Sequence, residues 1–410
     1  MKKLIGIFIT GLIGFTTNAQ NLNQTEKAQQ IQLNTITTAV PFLIITPDSR
    51  SGALGDVGAA ISPDANSFHW NTSKLVFSKE KAEFSASYSP WLRQLVDDIH
   101  LSYIAGYGKI GKRHAIGGSL RYFSLGNITF TNNVGQVIRD FNPNEFEVLG
   151  GYAFKLSDRS SVGMNAKFVY SNLTGGTNVG NVGSKAGLAG AVDISYSWFN
   201  DELSIGNTDA TLSFGSAISN IGNKVAYTVD SERDFLPTNL RLGTALKMEF
   251  DKYNSLTAAF DINKLLVPTP PKYGGTGQIV SGKDPNVGVV TGMLQSFYDA
   301  PGLVTYDANG DSSVVKNSRF KEELNEINFG LGVEYWYSNI LAVRTGFFHE
   351  HASKGNRKYL TFGAGIYFGV FGLDVSYLAS VTQNNPLANT VRFSLKFKFG
   401  DKKDQPGGAE

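Results

Sequence analysis

The sequence predicts an all-β protein, a 14-stranded antiparallel transmembrane β-barrel with an N-terminal plug, or hatch, segment. Three observations lead there. Strand-length stretches alternate apolar and polar residues with period two, as a wall between lipid and a wet lumen requires. After the first residues, no apolar run is long enough for a spanning helix, which needs about 20 residues. The links between the alternating stretches are short and long by turns, as in outer-membrane barrels. The last stretch is the clearest: Val391, Phe393, Leu395, Phe397 and Phe399 share one face, and Arg392, Ser394, Lys396 and Lys398 share the other. A soluble sandwich can contain one such strand; a membrane barrel needs a full set of them and no edge.

Residues 1–19 have the parts of a signal peptide: Lys2 and Lys3, an apolar Leu4–Phe15 stretch, and small residues up to Ala19. Residues 20–79 are expected to form the N-terminal segment and plug. They are polar as far as about Val40, and from Ile44 to Leu75 they are rich in small residues, with Pro47 and Pro63, and do not alternate. That stretch reads as short helices and turns inside the barrel. Arg50, Asp56 and Asp64 are expected to pair there with lumen charges, among which are Arg121 and Arg344.

Residues 80–400 are expected to be the barrel. Alternating runs begin at Ala82, Ile99, Ile116, Phe146, Val162, Leu188, Leu212, Leu240, Leu256, Ile327, Leu341, Leu360, Phe371 and Val391. In each, the apolar set is assigned to lipid. In the second run this puts Ile99, Leu101, Tyr103, Ala105 and Tyr107 outside and His100 in the lumen. Lumen substitutions such as Asp374→Asn or Gly332→Ser are accordingly expected to cost little. Links at 109–113, 156–159, 199–209, 251–254, 338–339 and 369–372 read as turns, and those between them as longer loops. The short turns, both termini and the tail 401–410 are assigned to the periplasm, and the long links, above all 265–325, to the cell exterior.

Composition excludes several classes. The chain has no Cys, so neither a disulfide scaffold nor thiolate chemistry is available. Its formal charge of +2 is dispersed, which gives nucleic acid no basic patch. No cofactor motif survives inspection. Gly277 to Lys283 has phosphate-loop spacing, but Asp284 stands where Ser or Thr is required. Asp307, Asn309 and Asp311 open like a calcium loop, but Ser318 stands where the closing Glu belongs. His349 and His351 make only two metal ligands. His100 with Ser102 is the one His–Ser pair on a strand, and no orienting carboxylate accompanies it.

The segment Ser49-Arg50-Ser51-Gly52-Ala53-Leu54-Gly55-Asp56-Val57-Gly58-Ala59-Ala60, with Ser62-Pro63-Asp64-Ala65 and Asn71-Thr72-Ser73-Lys74-Leu75, resembles the hatch of the FadL-like fatty-acid transporter barrels, with Thr72 in place of their Pro. Ala39-Val40-Pro41-Phe42-Leu43, Pro47-Asp48-Ser49-Arg50, Gly52-Ala53-Leu54-Gly55-Asp56 and His69-Trp70-Asn71 resemble the PorV (LptO) family of the Bacteroidetes type IX secretion system. That resemblance implies a non-enzymatic outer-membrane component. Its partners would be a giant translocon barrel, the C-terminal domains of secreted cargo, the surface-attachment complex and outer-membrane lipids. The alternatives are a FadL-like channel for small hydrophobic molecules and a lipopolysaccharide O-deacylase.

Large partners need surfaces they can reach. The long link 265–325 carries Tyr273, Phe297, Tyr298 and Tyr306, and the link 222–238 carries Tyr227 and Phe235. Exposed aromatics of this kind supply rigid contact area, and all six are expected to bind partners.

Overall fold

The computed structural model describes residues 33–91, 98–132, 134–177, 182–228, 233–306, 312–381 and 389–400. The signal-peptide stretch 1–19, the tail 401–410, the triplet Asp307, Asn309 and Asp311, and the side chain of Tyr306 lie outside the described residues.

Fourteen strands form one closed antiparallel barrel in sequence order. They are β1 (Ala82–Pro90), β2 (Ile99–Ile110), β3 (His114–Leu125), β4 (Asn144–Lys155), β5 (Ser160–Asn172), β6 (Gly187–Ile205) and β7 (Thr208–Gly222). The second half is β8 (Asn239–Glu249), β9 (Asn254–Leu265), β10 (Ile327–Tyr337), β11 (Leu341–His349), β12 (Lys358–Phe368), β13 (Phe371–Ser380) and β14 (Thr390–Phe399). Closure comes from β1 pairing with β14, Glu83 opposite Lys398 and Ser87 opposite Ser394. No backbone ladder is left open to lipid, which a spanning sheet requires. Among the described residues no helix is long and apolar enough to cross a membrane. A closed wall of this kind can cross a membrane with strands alone.

The tight turns lie at one end. Ser338 and Asn339 both have positive φ, as a two-residue turn between twisted strands demands. The 199–209 link is not a loop: β6 and β7 continue through it to a turn at Gly206, whose φ is +64°. At the opposite end are the long connections. Residues 266–326 fold into a small hairpin at Lys272–Tyr273 and Ile279–Ser281, helix α1 (Val289–Gln295), a second hairpin at Val304–Tyr306 and Ser312–Val314, and helix α2 (Ser318–Asn325).

Outward positions are apolar and exposed, for example Leu331 and Tyr335 on β10 and Leu373 and Phe371 on β13. The facing rows inside are buried and polar: Glu334, Arg344, Asp374, Arg392 and Lys396. Strand β2 reverses the expected assignment. Leu101, Tyr103, Ala105 and Tyr107 are buried inside, while Ile104 is exposed outside. Register agrees, since Tyr103 lies opposite Arg121 and Tyr107 opposite Glu83, both inward residues. The reason is the inner packing: Tyr103, Ala105 and Tyr107 cluster with Ala65, Phe68, Leu75 and Val76. An apolar face does not distinguish lipid from an apolar filling. His100 is therefore on the outer wall, its ring 5.5 Å from that of Tyr88 and 6.2 Å from that of Tyr122.

Residues 39–78 lie within the barrel. They touch inward side chains on opposite arcs of the closed wall, from Arg121 on β3 to Asp261 on β9 and Lys396 on β14. A segment can reach all of these only from inside. Glycines on the wall make room for it. A Cβ on Gly332 would sit 2.6 Å from the Leu54 carbonyl oxygen, and one on Gly346 would overlap the Leu54 backbone at 2.1 Å.

Leu331→Arg or Leu373→Arg should each cost about 2–4 kcal/mol, the usual range for a basic residue facing mid-bilayer lipid. Gly332→Ser and Asp374→Asn should also destabilise, against the expectation from alternation alone. The first clashes with Leu54, and the second weakens a buried ion pair. His100→Leu should be tolerated, and Tyr103→Asp should not. Urea midpoints of the chain folded into lipid vesicles measure all six.

Candidate functional sites in the lumen and at the long-loop end

Six charges from the inner segment and the wall close into a ring. Lys396 Nζ is 2.9 Å from Asp64 Oδ2, and Asp64 Oδ2 is 3.4 Å from Arg50 Nη1. Arg50 makes a two-pronged contact to Glu334, at 2.9 and 2.8 Å. Arg344 Nε reaches the same Glu334 at 2.6 Å, and its Nη1 reaches Asp374 at 2.6 Å. Asp374 Oδ2 lies 3.2 Å from Lys396, which closes the circuit. Tyr367 donates its hydroxyl to Asp374 at 2.5 Å. Signs alternate around the ring and sum to zero. Buried charges are tolerable when each has opposite neighbours and its remaining hydrogen-bond capacity is used.

Two of the six come from the inner segment, where local structure aims them. Asp48 caps the helical turn Ser49–Gly52 by accepting from Ser51 N–H at 2.9 Å, which orients Arg50 at the wall. Trp70 Nε1 donates to the other Asp48 oxygen at 2.7 Å and ties that turn to the next one. Asp64 Oδ1 accepts from Asn66 N–H at 3.0 Å, and its Oδ2 is left for Arg50 and Lys396.

Around the rest of the wall the anchoring is mostly neutral-to-charged. Arg121 donates to the carbonyls of Phe42 and Leu43 at 3.1 and 2.9 Å, and its Nη2 contacts His69 Nδ1 at 2.6 Å. Asp261 Oδ2 accepts from Gly58 and Ala59 N–H at 2.8 and 2.9 Å. Asp56 accepts from the Tyr359 hydroxyl. Thr72 donates to Asn165 Oδ1 at 2.8 Å, and Asn165 donates to Asp193 at 2.9 Å. Thus Arg50, Asp56, Asp64 and Arg121 join the inner segment to the wall, while Arg344, among the described residues, is bonded only to the wall residues Glu334 and Asp374. Asp56 does so through a tyrosine and Arg121 through carbonyls, neither of them an ion pair.

None of this resembles a reaction centre. His100 and Ser102 lie on the outer wall. His349 stacks on Phe329, with ring centroids 4.7 Å apart, and His351 Nδ1 faces Ser353 Oγ at 2.9 Å. Among the described residues no cluster of His, Asp and Glu has the makings of a metal site.

At the long-loop end, a pocket of about 340 Å³ opens between Ile36, Pro41 and Ile44 of the inner segment and Leu265 of the wall. Its charged rim is already paired. Glu326 holds Lys264 at 2.6 Å and Lys354 at 2.9 Å, and Glu350 holds Arg357 at 2.8 Å. Of the proposed partner-binding aromatics, Tyr273, Phe297 and Tyr298 are exposed. Lys283 Nζ sits 3.7 Å from the centre of the Tyr298 ring, over its face. Tyr227 and Phe235 are not free surface. Tyr227 donates to Ser171 at 2.9 Å, and Phe235 is buried under α1, close against Gly292. Both serve to pin loops together. The sequence reading also missed exposed apolar pairs at helical spacing: Val290 with Leu294 on α1, and Phe320 with Leu324 on α2. Their i, i+4 spacing is the signal that would have revealed them.

Inside this loop, burial pushes the Asp299 carboxyl up to about 6; the Thr269 N–H opposes the rise, and the charges of Glu326 and Glu323 add to it. Burial also works to raise Glu322, yet the hydrogen bond and charge of Lys354 hold it below the usual range. An acid raised on folding stabilises the fold at low pH and loses that contribution as pH rises through its window, here from about 4 to about 6. Between pH 5 and 7 Glu322 is ionised throughout, so Asp299 sets the slope. Loop 266–326 should resist proteolysis better at pH 5 than at pH 7. Asp299→Asn, which keeps an acceptor for Thr269, should flatten that difference. In the ring, Glu334→Ala would leave Arg50 without its main partner and should cost about 3–5 kcal/mol, the range for breaking a buried pair, read by urea denaturation in vesicles.

A family model described as type IX secretion system protein PorV matches residues 26–272. No curated protein sequence matches. Solved structures with a similar outline include the Ralstonia pickettii toluene transporter TbuX, at 14% identity over 87% of this chain and 98% of that one, TM-score 0.46. The CymD monoaromatic hydrocarbon channel follows at 12%, 87% and 98%, TM-score 0.44. A Pseudomonas aeruginosa FadL homologue stands at 11%, 90% and 100%, TM-score 0.41. At such identities and scores they carry no argument about what this barrel binds or passes.

Proposed function

The chain belongs to the PorV family of type IX secretion system proteins, and from that premise we propose that it is a non-enzymatic docking barrel for protein secretion. In this reading it binds the giant translocon barrel, receives cargo through the cargo's C-terminal domain and passes it to the surface-attachment complex. Residues 1–19 direct its export, the short turns and the tail 401–410 face the periplasm, and the long loops face outward. The observation that carries the reading, beside the family, is the lumen: its charges are used on the inner segment, so the segment acts as a plug. A barrel closed in this way offers partners its rim and loops. Tyr273, Phe297 and Tyr298 are the exposed aromatics best placed to meet them, and Tyr306 belongs to the same loop.

Combined Phe297→Ala and Tyr298→Ala should weaken capture of translocon and cargo, at about 2 kcal/mol or more per hot spot, while heat-modifiable mobility shows a folded barrel. Normal co-purification of both partners with the double variant would move docking elsewhere. Deleting residues 49–64 removes Arg50 and Asp64 but leaves Glu334 with Arg344 and Asp374 with Lys396. The barrel should persist and planar-bilayer conductance should rise; unchanged conductance would refute the plug.

A further inference from the structure

Helix α2 is folded inside out for a water-exposed helix. Its acidic residues point inward. Glu322 meets Lys354 at 2.8 Å, Glu323 meets Lys264 at 3.2 Å, and Glu326, just past the helix, meets both lysines. Phe320 and Leu324 point away and are 69% and 51% exposed. At about 100° per residue, these two lie within about 40° of each other, with Glu322 opposite them and Glu323 and Lys321 on either flank. In water, burial of Phe and Leu with exposure of Glu would be the favoured arrangement. The opposite choice means that the outer face meets something other than water.

Position identifies that surroundings. Lys264 continues the outward row of β9 after Phe260 and Ile262, opposite Ile327 on β10. It is nonetheless buried, because Glu323 and Glu326 cover it. Glu326 also holds Lys354 and lines the mouth pocket with Ile36 and Pro41, and Glu322 accepts from Asn34, so the acidic face of α2 is turned to the barrel mouth and its apolar face away from it. Only Glu326 separates the end of α2 at Asn325 from the start of β10 at Ile327. Two residues span at most about 7 Å, so the helix cannot stand far above the membrane boundary. The apolar outer row of β10, with Leu331, Phe329 and Ile327, is preceded in the chain by the exposed pair Phe320 and Leu324. Lys321 and Lys316 are exposed alongside, matching the sign of lipid phosphates.

We infer that α2 is an interfacial helix, with Phe320 and Leu324 seated in the acyl boundary of the leaflet at the long-loop end and Lys321 among its phosphates. It thereby shields the Lys264 ion pairs from lipid and fixes one side of the loop that carries Phe297 and Tyr298. The anchorage needs no protein partner, and so it stands apart from the docking role.

The chain has no Cys, so single labels are clean. Phe320→Cys and Leu324→Cys, labelled with bimane in the full chain reconstituted into phosphatidylcholine vesicles with or without lipid A, are compared with Leu331→Cys as lipid reference and Ser313→Cys as water reference. Nitroxide lipids should quench both helix labels nearly as well as Leu331→Cys, and iodide should quench them several-fold less than Ser313→Cys. Lipid A should strengthen the lipid quenching, and Lys321→Glu should abolish that gain. Iodide quenching equal to Ser313→Cys would overturn the seating. So would shielding that appears only when purified translocon is added, which would make the face a protein contact. No response to lipid A would overturn the phosphate pairing. Heat-modifiable mobility of each variant confirms folding before labelling.

Discussion

The ring of six buried charges organises the rest of the molecule. Arg50 and Asp64 from the inner segment are inserted between Glu334, Arg344, Asp374 and Lys396 on four of five consecutive strands, β10, β11, β13 and β14. Removing the segment's two charges leaves the wall's four balanced among themselves. Removing one wall charge leaves the others unbalanced in a site with little water. The wall is thus built to survive without its filling, whereas the filling has no comparable hold elsewhere. Past the seam, β2 and its neighbours hold the segment by apolar packing of Phe68, Leu75, Tyr103 and Tyr107. Charge fixes one flank and hydrophobic area the other. The first is directional and sets register; the second tolerates small shifts.

The barrel was legible in the chain because lipid on one side and polar filling on the other enforce period two. Thirteen of the fourteen strand faces follow from that rule. Strand β2 breaks it, since Leu101 and Tyr103 face an apolar part of the filling, and alternation reports polarity without naming the apolar neighbour. The involvement of Arg50, Asp56 and Asp64 with the wall was legible for a simpler reason: charges in a small-residue segment too long for a linker need partners. Which partner each takes depends on the three-dimensional course of the segment. Asp56 finding Tyr359 and Arg121 finding two carbonyls were beyond reach of pattern reading.

Loop residues were less legible still. Tyr227, Phe235, Phe297 and Tyr298 look alike in sequence, and only the packing separates those that pin the loops from those left outside. Phe235 lies under Gly292 because that residue has no side chain to keep it out. Phe320 and Leu324 escaped notice because the link was read as a loop, and two apolar residues four apart carry meaning only on a helix. The two lysines behind them, Lys264 and Lys354, turned the acids inward.

The ring also orders assembly in time. Arg50 and Glu334 are 284 residues apart in the chain, and Asp64 and Lys396 are 332 apart. The ring therefore cannot close on the inner segment until the last strand has been formed and paired with β1. Contacts this distant in sequence slow the search for the native state. Until then the segment's charges must stay hydrated and within reach of a lumen that is still an open sheet. The closing of the ring and that of the seam between β1 and β14 are in effect one late event, and a chain cut short before Lys396 would lack both the closing strand and the lock.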